Sequence, residues 1–174
     1  MNAIPGSRAP DKGPMRDSQA MDEWRRDVGE LCASIRQGLA PLVAAKLATV
    51  VHRDFSVSEA TFGTYSTSGL EISLVGAGEA RVALIRPWGL SILGAVEVGV
   101  ARALNARGRV DIECGVARAI LLRFEDRESP RWVAFSGGDA RSLDEKVLFD
   151  LLSQVTELKN LGPSRRPRRL TTDE

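Results

Sequence analysis

The stretch LEISLVGAGEARVAL, residues 70–84, decides the fold. On either side of its Gly-Ala-Gly centre, apolar residues alternate with polar or small ones: Leu70, Ile72 and Leu74 before it, and Ala80, Val82 and Leu84 after it. A period of two is typical of strands that bury one face, and glycine permits the positive φ of a tight turn. The stretch therefore predicts an antiparallel β-hairpin with these six residues on its buried face.

The same alternation, or a short apolar run, recurs elsewhere and predicts further strands. These strands contain Phe55 and Val57, then Val110, Ile112 and Cys114, then residues 119–124 and residues 132–135. The sequence thus predicts an antiparallel sheet of about five to six strands.

Amphipathic helices are predicted at both ends of the sheet. After Ser18, a candidate N-cap, an apolar stripe with helical spacing contains Met21, Trp24, Val28, Leu31, Ile35 and Leu39. Pro41 either starts a second helix, from Leu42 to about His52, or kinks one long helix. Near the C-terminus, residues 142–145 (SLDE) have the pattern of a capping box, an apolar stripe follows, and Leu161-Gly162-Pro163 predicts the end of that helix.

Residues 89–107 fit two structures. As a helix, Ile92, Val96, Val100 and Leu104 share one face, and Gly108 follows as a C-terminal glycine. As a pair of strands, the alternating valines fit well, and glycine and valine are poor helix formers. We favour the helix, so the expected fold class is α+β: the antiparallel sheet, terminal amphipathic helices and a central helix. The expected organisation is a disordered tail at 1–17, a single domain at 18–162 and a disordered, arginine-rich tail at 163–174.

With residues 89–107 helical, the order of elements over about residues 20–160 resembles that of the Roadblock and longin-type scaffolds. The resemblance is one of element order and includes no sequence motif. It implies a small protein that dimerises through helix or sheet edges and regulates GTPases or trafficking complexes. With residues 89–107 as strands, the chain instead resembles secretion chaperones or ligand-binding cups.

Few residues of this chain favour catalysis. It contains one histidine, His52, and two cysteines, Cys32 and Cys114, so a Cys–His pair has a single candidate base and a structural zinc site lacks ligands. Asp111 and Glu113 share one face of a predicted strand and could hold Mg²⁺ with a phosphate substrate, although the solvent side of a strand is the simpler interpretation. The sequence predicts no cofactor, no bound metal and no catalytic residue.

Binding is better supported than chemistry. The stripe residues Trp24, Leu31 and Ile35 are candidates for a homodimer interface, and Trp88 with a stacked Arg86 is a candidate partner anchor, although the favoured interpretation is that Trp88 closes one end of the core. The net charge is only +1, yet Arg165, Arg166, Arg168 and Arg169 form a basic tail that could bind nucleic acid.

No apolar run is long enough to span a bilayer, and the first residues do not form a secretory signal, so we expect a cytoplasmic protein. The leading hypothesis is a non-enzymatic adaptor or regulatory protein that acts through protein–protein interaction, with an unidentified protein partner, as a homodimer. The alternatives are a nucleic-acid-associated protein that uses its basic tail, and an enzyme for a small-molecule or Mg²⁺-bound phosphate substrate with Asp111 and Glu113 near its site.

Overall fold

A computed structural model of the chain describes residues 14–76, 79–90, 106–125, 131–136, 139–158 and 161. Two helices come first, α1 (Pro14–Gly38) and α2 (Ala40–Ala44). Seven strands follow: β1 (Ala48–Glu59), β2 (Gly63–Gly76), β3 (Glu79–Gly89), β4 (Ala106–Cys114), β5 (Ala117–Phe124), β6 (Arg131–Ser136) and β7 (Asp139–Ser142). The last element is helix α3 (Glu145–Thr156). After it, the structure describes residues 157, 158 and 161.

The seven strands form one antiparallel sheet in the order of the chain, so each strand pairs with its neighbours in sequence. The α+β class and the 70–84 hairpin are confirmed, because β2 and β3 pair from Leu70↔Ile85 to Gly76↔Glu79. The strand number of five to six is wrong, because the sheet has seven strands and Asp139–Ser142, for which the sequence predicts no strand, is a strand paired with β6. Its residues lack the apolar alternation from which strands are predicted.

The predicted second helix, Leu42 to about His52, is also wrong. Helix α2 ends at Ala44, Lys46 takes a positive φ of 60°, and β1 begins at Ala48. Residues 49–51 are Thr-Val-Val, and β-branched residues favour an extended backbone. His52 therefore lies within an edge strand and not at the end of a helix.

Helices α1 and α3 pack on the same face of the sheet, which we call the helix face. The apolar stripe of α1 is buried there, with Trp24, Val28, Leu31 and Ile35 in the helix and Leu39 directly after it. From α3, Val147, Leu148, Leu151, Leu152 and Val155 join the same cluster. The sheet contributes alternate residues, among them Leu70, Ile72, Leu74, Ala83, Ile85, Val110, Ile112 and Leu121. Both terminal stripes are thus covered within the chain.

The buried face of β3 is the opposite of the one predicted. Gly76 pairs with Glu79, which fixes a register that places Ile72 opposite Ala83. Because paired residues of antiparallel strands point to the same face, Ala83 is buried and Val82 lies on the other face, 48% exposed. Residues 80–85 are all apolar except Arg81, so both faces of the strand carry apolar side chains and the pattern alone cannot show which face is buried. We call the face of the sheet that carries Val82 the open face.

The open face has its own buried cluster toward β4, β5 and β6. Its members are Ala106, Ile120, Leu122, Val133 and Phe135. They alternate along their strands with the residues that face the helices, as period two requires. The open face is therefore apolar and buried on this side, whereas Val51, Val75, Val82 and Trp88 are exposed on the part formed by β1, β2 and β3.

The ends of α3 also differ from the prediction. The N-cap is Asp144, whose side chain accepts a hydrogen bond from Val147 N at 2.7 Å, and not Ser142, which ends β7. The helix stops at Thr156, and Glu157 takes the left-handed conformation that caps it, five residues before Gly162. Helix α1 begins at Pro14, within the predicted tail, because proline suits the first helical turn.

Several predictions fall outside the described residues. The core of the 89–107 segment does so from residue 91 to 105, while Gly89 ends β3 and Ala106 begins β4. The predicted tail at 163–174 lies outside as well, as do residues 1–13 of the predicted tail at 1–17. In the part of the chain that is described, no helix is long and apolar enough to cross a membrane.

Candidate functional site

Trp88 is the most prominent side chain of the open face. It lies near the end of β3 and keeps 45% of its surface exposed, so the idea that it closes the core is wrong. The guanidinium carbon of Arg86 lies 5.6 Å from the centre of its ring, and that of Arg109 lies 5.1 Å from it. The stacking expected for Arg86 is therefore present, and a second arginine shares the ring.

A buried carboxylate fixes the second arginine. Arg109 donates from Nε to Asp111 Oδ1 at 2.7 Å and from Nη2 to Asp111 Oδ2 at 2.8 Å. Both side chains are buried, and the Nε atom of Arg118 lies 3.7 Å from Asp111 Oδ2. A bidentate pair of this kind holds the guanidinium plane in one orientation, so the surface beneath Trp88 is rigid.

Alternate residues of β3 continue this surface along the strand. Val82, Leu84, Arg86 and Trp88 share the open face, and together we call them the β3 strip. The register places Leu84 beside Glu71 on one side and beside Glu113 on the other. Of the seven large hydrophobic residues that are exposed in the described chain, four lie on this face: Val51, Val75, Val82 and Trp88. The strip thus combines apolar area with a tryptophan whose ring contacts two arginines.

The three stripe residues proposed for a partner interface are placed differently. Trp24, Leu31 and Ile35 are buried in the core formed by α1 and the sheet. An uncovered apolar stripe would need a partner, but the chain covers this stripe itself, so the stripe does not support a homodimer interface. The arginines of the basic tail, residues 165, 166, 168 and 169, lie outside the described residues.

Asp111 and Glu113 do lie on one face of β4, but the solvent-side interpretation is wrong for Asp111. Its carboxylate is fully buried, and its oxygens face Arg109 and Arg118. Glu113 lies 3.9 Å from Arg86. Guanidinium groups therefore occupy the positions where a cation would have to bind, and the described residues contain no cluster of three metal-ligating side chains.

The single histidine meets a serine and an aspartate. His52 Nε2 lies 3.2 Å from Ser68 Oγ and 3.9 Å from Asp54 Oδ1. In a catalytic triad, the two ring nitrogens serve different partners, one the nucleophile and one the acid. Here one nitrogen faces both groups, and all three residues lie on the first two strands of the sheet, where solvent reaches them. This arrangement does not form a triad.

The buried thiol of Cys32 is poorly suited to nucleophilic chemistry. Desolvation by burial raises its pKa to about 11, against a smaller lowering by Arg36. Since the thiolate is the nucleophilic form, Cys32 remains a protonated, unreactive thiol near neutral pH. It packs in the core as a small apolar residue.

A cleft of about 780 Å³ lies between α1 and the start of α3, with β6 and β7 along its side. Leu31, Ile35 and Trp132 form apolar parts of its wall, and its acidic residues are Asp27, Glu30, Asp144 and Glu145. Two of these carboxylates already have structural partners, because Asp27 pairs with Arg123 and Asp144 caps α3. The cleft includes no cysteine or histidine among its lining residues.

Comparison with models of known protein families, with characterised proteins and with solved structures finds no match. The assignment of a function therefore depends on the geometry of this chain.

Sequence reasoning found Arg86 and Trp88 but missed Arg109 and Val82. A usable signal for Arg109 was present, since an arginine and a carboxylate two residues apart on a strand point to the same face. Val82 was assigned to the core because the strand is apolar on both faces. Its exposure depends on the register of the hairpin.

Proposed function

We propose that the chain is a non-enzymatic protein-interaction module, an adaptor or regulator, that binds a protein partner through the β3 strip. The observation that supports this most directly is the exposed Trp88 ring in contact with the guanidinium groups of Arg86 and Arg109. Tryptophan and arginine are the residues most enriched among those that dominate binding energies at protein interfaces. Several large apolar side chains exposed on one face, here Trp88 with Val51, Val75 and Val82, are typical of an interaction surface.

Rigidity supports the same proposal. Arg109 is fixed by the bidentate pair with the buried Asp111, and β3 pairs with β2 over Glu79–Ile85 and with β4 over Leu84–Gly89. A surface that is ordered before binding loses less conformational entropy when the partner arrives. The partner that fits this surface presents an apolar patch to Trp88, Leu84 and Val82, with carbonyl or carboxylate oxygens toward Arg86.

The proposal places the protein in a reducing compartment such as the cytoplasm. Cys32 and Cys114 are both free cysteines in the described chain. Thiols persist in such compartments, whereas stable disulfides are typical of oxidising ones.

The test compares capture of partners by the wild type and by Trp88→Ala from an extract of the native cells. Truncation of a dominant interface residue costs about 2 kcal/mol or more, which is about a 30-fold loss in affinity. We expect Trp88→Ala and Val82→Lys to lose the same protein, identified by mass spectrometry and then measured by calorimetry with the purified partner.

The matched control is Val116→Ser, which changes a fully exposed apolar residue in the turn between β4 and β5. This variant should bind the partner as the wild type does. If all three variants retain the same proteins with the same affinities, the β3 strip is not the binding surface and the proposal is wrong.

A further inference from the structure

Strand β1 has one edge without a described strand neighbour. It is the first strand of the sheet and pairs only with β2, over twelve consecutive residues from Ala48↔Leu74 to Glu59↔Gly63 without a bulge. Because backbone groups alternate between the two edges of a strand, about half of its N–H and C=O groups point away from β2. A long, regular edge of this kind is a template for pairing with another strand.

The two edges of the sheet differ in how well they are protected. At the far edge, β7 has only four residues, and a short edge strand is one of the ways in which proteins prevent unwanted pairing. Strand β1 is three times as long, contains no proline or lysine, and is mostly exposed on both faces. The protection found at β7 is therefore missing at β1.

We propose that β1 pairs with β1 of a second copy of this chain, antiparallel and about a two-fold axis at Arg53, to form a homodimer with one continuous sheet. This inference does not depend on the proposed function, because the β3 strip lies two strands away from the β1 edge. The side chains that this register brings together favour a second copy of the chain as the partner of the β1 edge.

An antiparallel pair of β1 strands centred on Arg53 includes almost the whole strand and brings compatible side chains opposite each other. Position i then faces position 106 minus i of the second copy, so His52 lies opposite Asp54, and Val51 lies opposite Phe55. Each of these pairs occurs twice in the dimer, joining a histidine to a carboxylate and an apolar residue to an apolar one. Cross-strand pairs of these kinds stabilise antiparallel sheets.

The central arginines do not oppose this arrangement. Arg53 donates from Nε to Glu71 Oε2 at 3.1 Å, and its Nη2 lies 2.9 Å from the same atom. Each copy thus neutralises its own Arg53 before the strands meet. A register shifted by one residue in either copy would turn the faces of the strand over. A centre at Asp54 would bring two carboxylates face to face, each with a histidine 3.9 Å away in its own copy instead of an arginine.

The sharpest test is a disulfide at the two-fold axis, made in a Cys114→Ser background. Residues that face each other in an antiparallel pair have Cα atoms about 4.5–5.5 Å apart, within the range that a disulfide spans. We expect Arg53→Cys to form a cross-linked dimer of twice 18.9 kDa under mild oxidation. The control Ser56→Cys lies roughly 20 Å from its own copy in this register and should remain monomeric on a non-reducing gel.

A second test needs no cysteine and keeps the proposal testable if Arg53→Cys fails to fold. Val51→Lys places a charge opposite Phe55 at two places in the dimer and should weaken dimerisation about tenfold or more, measured by sedimentation equilibrium. Val82→Lys adds the same charge to an exposed valine of the same face but away from the edge, and it should leave the dimer intact. Circular dichroism checks that both variants are folded.

Three results would overturn the inference. The first is a wild type that stays monomeric at about 100 µM, where a dimer with a micromolar dissociation constant is mostly associated. The second is cross-linking of Ser56→Cys as efficient as that of Arg53→Cys. The third is equal weakening of the dimer by Val51→Lys and Val82→Lys. Since loss of partner capture by Trp88→Ala is measured separately, failure of the dimer and failure of the proposed function are distinguishable.

Discussion

Gly108 shows how a single residue sets the distance between helix and sheet. A Cβ atom at this position would lie 2.2 Å from Cζ3 of Trp24, and the backbone has a φ of +147°. We expect Gly108→Ala to lower the free energy of unfolding by about 2 kcal/mol or more, because the Trp24 ring must move and the backbone is strained. Urea denaturation followed by circular dichroism measures the change.

Gly29 provides the matched control for this substitution. It lies within α1, and an added Cβ would meet no atom within 4 Å. Gly29→Ala should raise stability by about 0.5–1 kcal/mol, because alanine favours the helix. If both alanines had the same effect, contact with Trp24 would not be the reason for glycine at position 108.

At this scale, the sequence predicts contacts within one strand better than contacts between strands. Arg86 and Trp88 are two apart on β3, so their stacking follows from the alternation of a strand. The stacking of Arg109 on the same ring depends on the pairing of β3 with β4, including the irregularity between Pro87 and Gly89. No local pattern contains that information.

The cap of α3 provides a test at the level of the element. Asp144 accepts a hydrogen bond from Val147 N, so Asp144→Ala should cost about 1 kcal/mol of stability. Ser142→Ala should change stability little, because Ser142 ends β7 and is exposed. Thermal unfolding of both variants shows whether Asp144 or Ser142 caps the helix. A larger loss of stability in Ser142→Ala would favour the capping box suggested by residues 142–145.

Elements with a strong local pattern are predicted well, and elements shaped by their neighbours are not. The β2–β3 hairpin and the stripe of α3 follow from alternation and from helical spacing. Strand β1 was assigned to a helix at its start because Pro41 and Leu42 suggest a helix start, whereas the left-handed Lys46 that ends α2 has no sequence signature. The sequence also does not predict which apolar residues of β3 are exposed on the open face, because this strand has apolar residues on both of its faces.

For the whole molecule, a buried ion pair joins α1 to the middle of the sheet. Arg123 on β5 donates from Nε to Asp27 Oδ2 at 2.6 Å, and both side chains are buried. Arg26 approaches the other oxygen, with its Nε atom 3.2 Å from Asp27 Oδ1. Because desolvation offsets most of the attraction between buried charges, such a pair specifies how the layers fit more than it stabilises them.

Because the pair mainly specifies how the layers fit, we expect the free energy of unfolding to depend strongly on whether one or both charges are removed. Asp27→Leu leaves Arg123 buried without its partner and should cost about 3–5 kcal/mol, a large part of the stability of a small domain. The double variant Asp27→Leu/Arg123→Met replaces the pair by apolar side chains and should recover most of that loss. The exposed pair Arg141–Asp150, 3.0 Å apart, is the control, and Asp150→Ala should cost about 1 kcal/mol or less. A double-mutant cycle in urea gives these values. If the double variant were as unstable as Asp27→Leu, the attraction between the charges would itself hold α1 on the sheet. The pair would then stabilise the fold and not only specify how the layers fit.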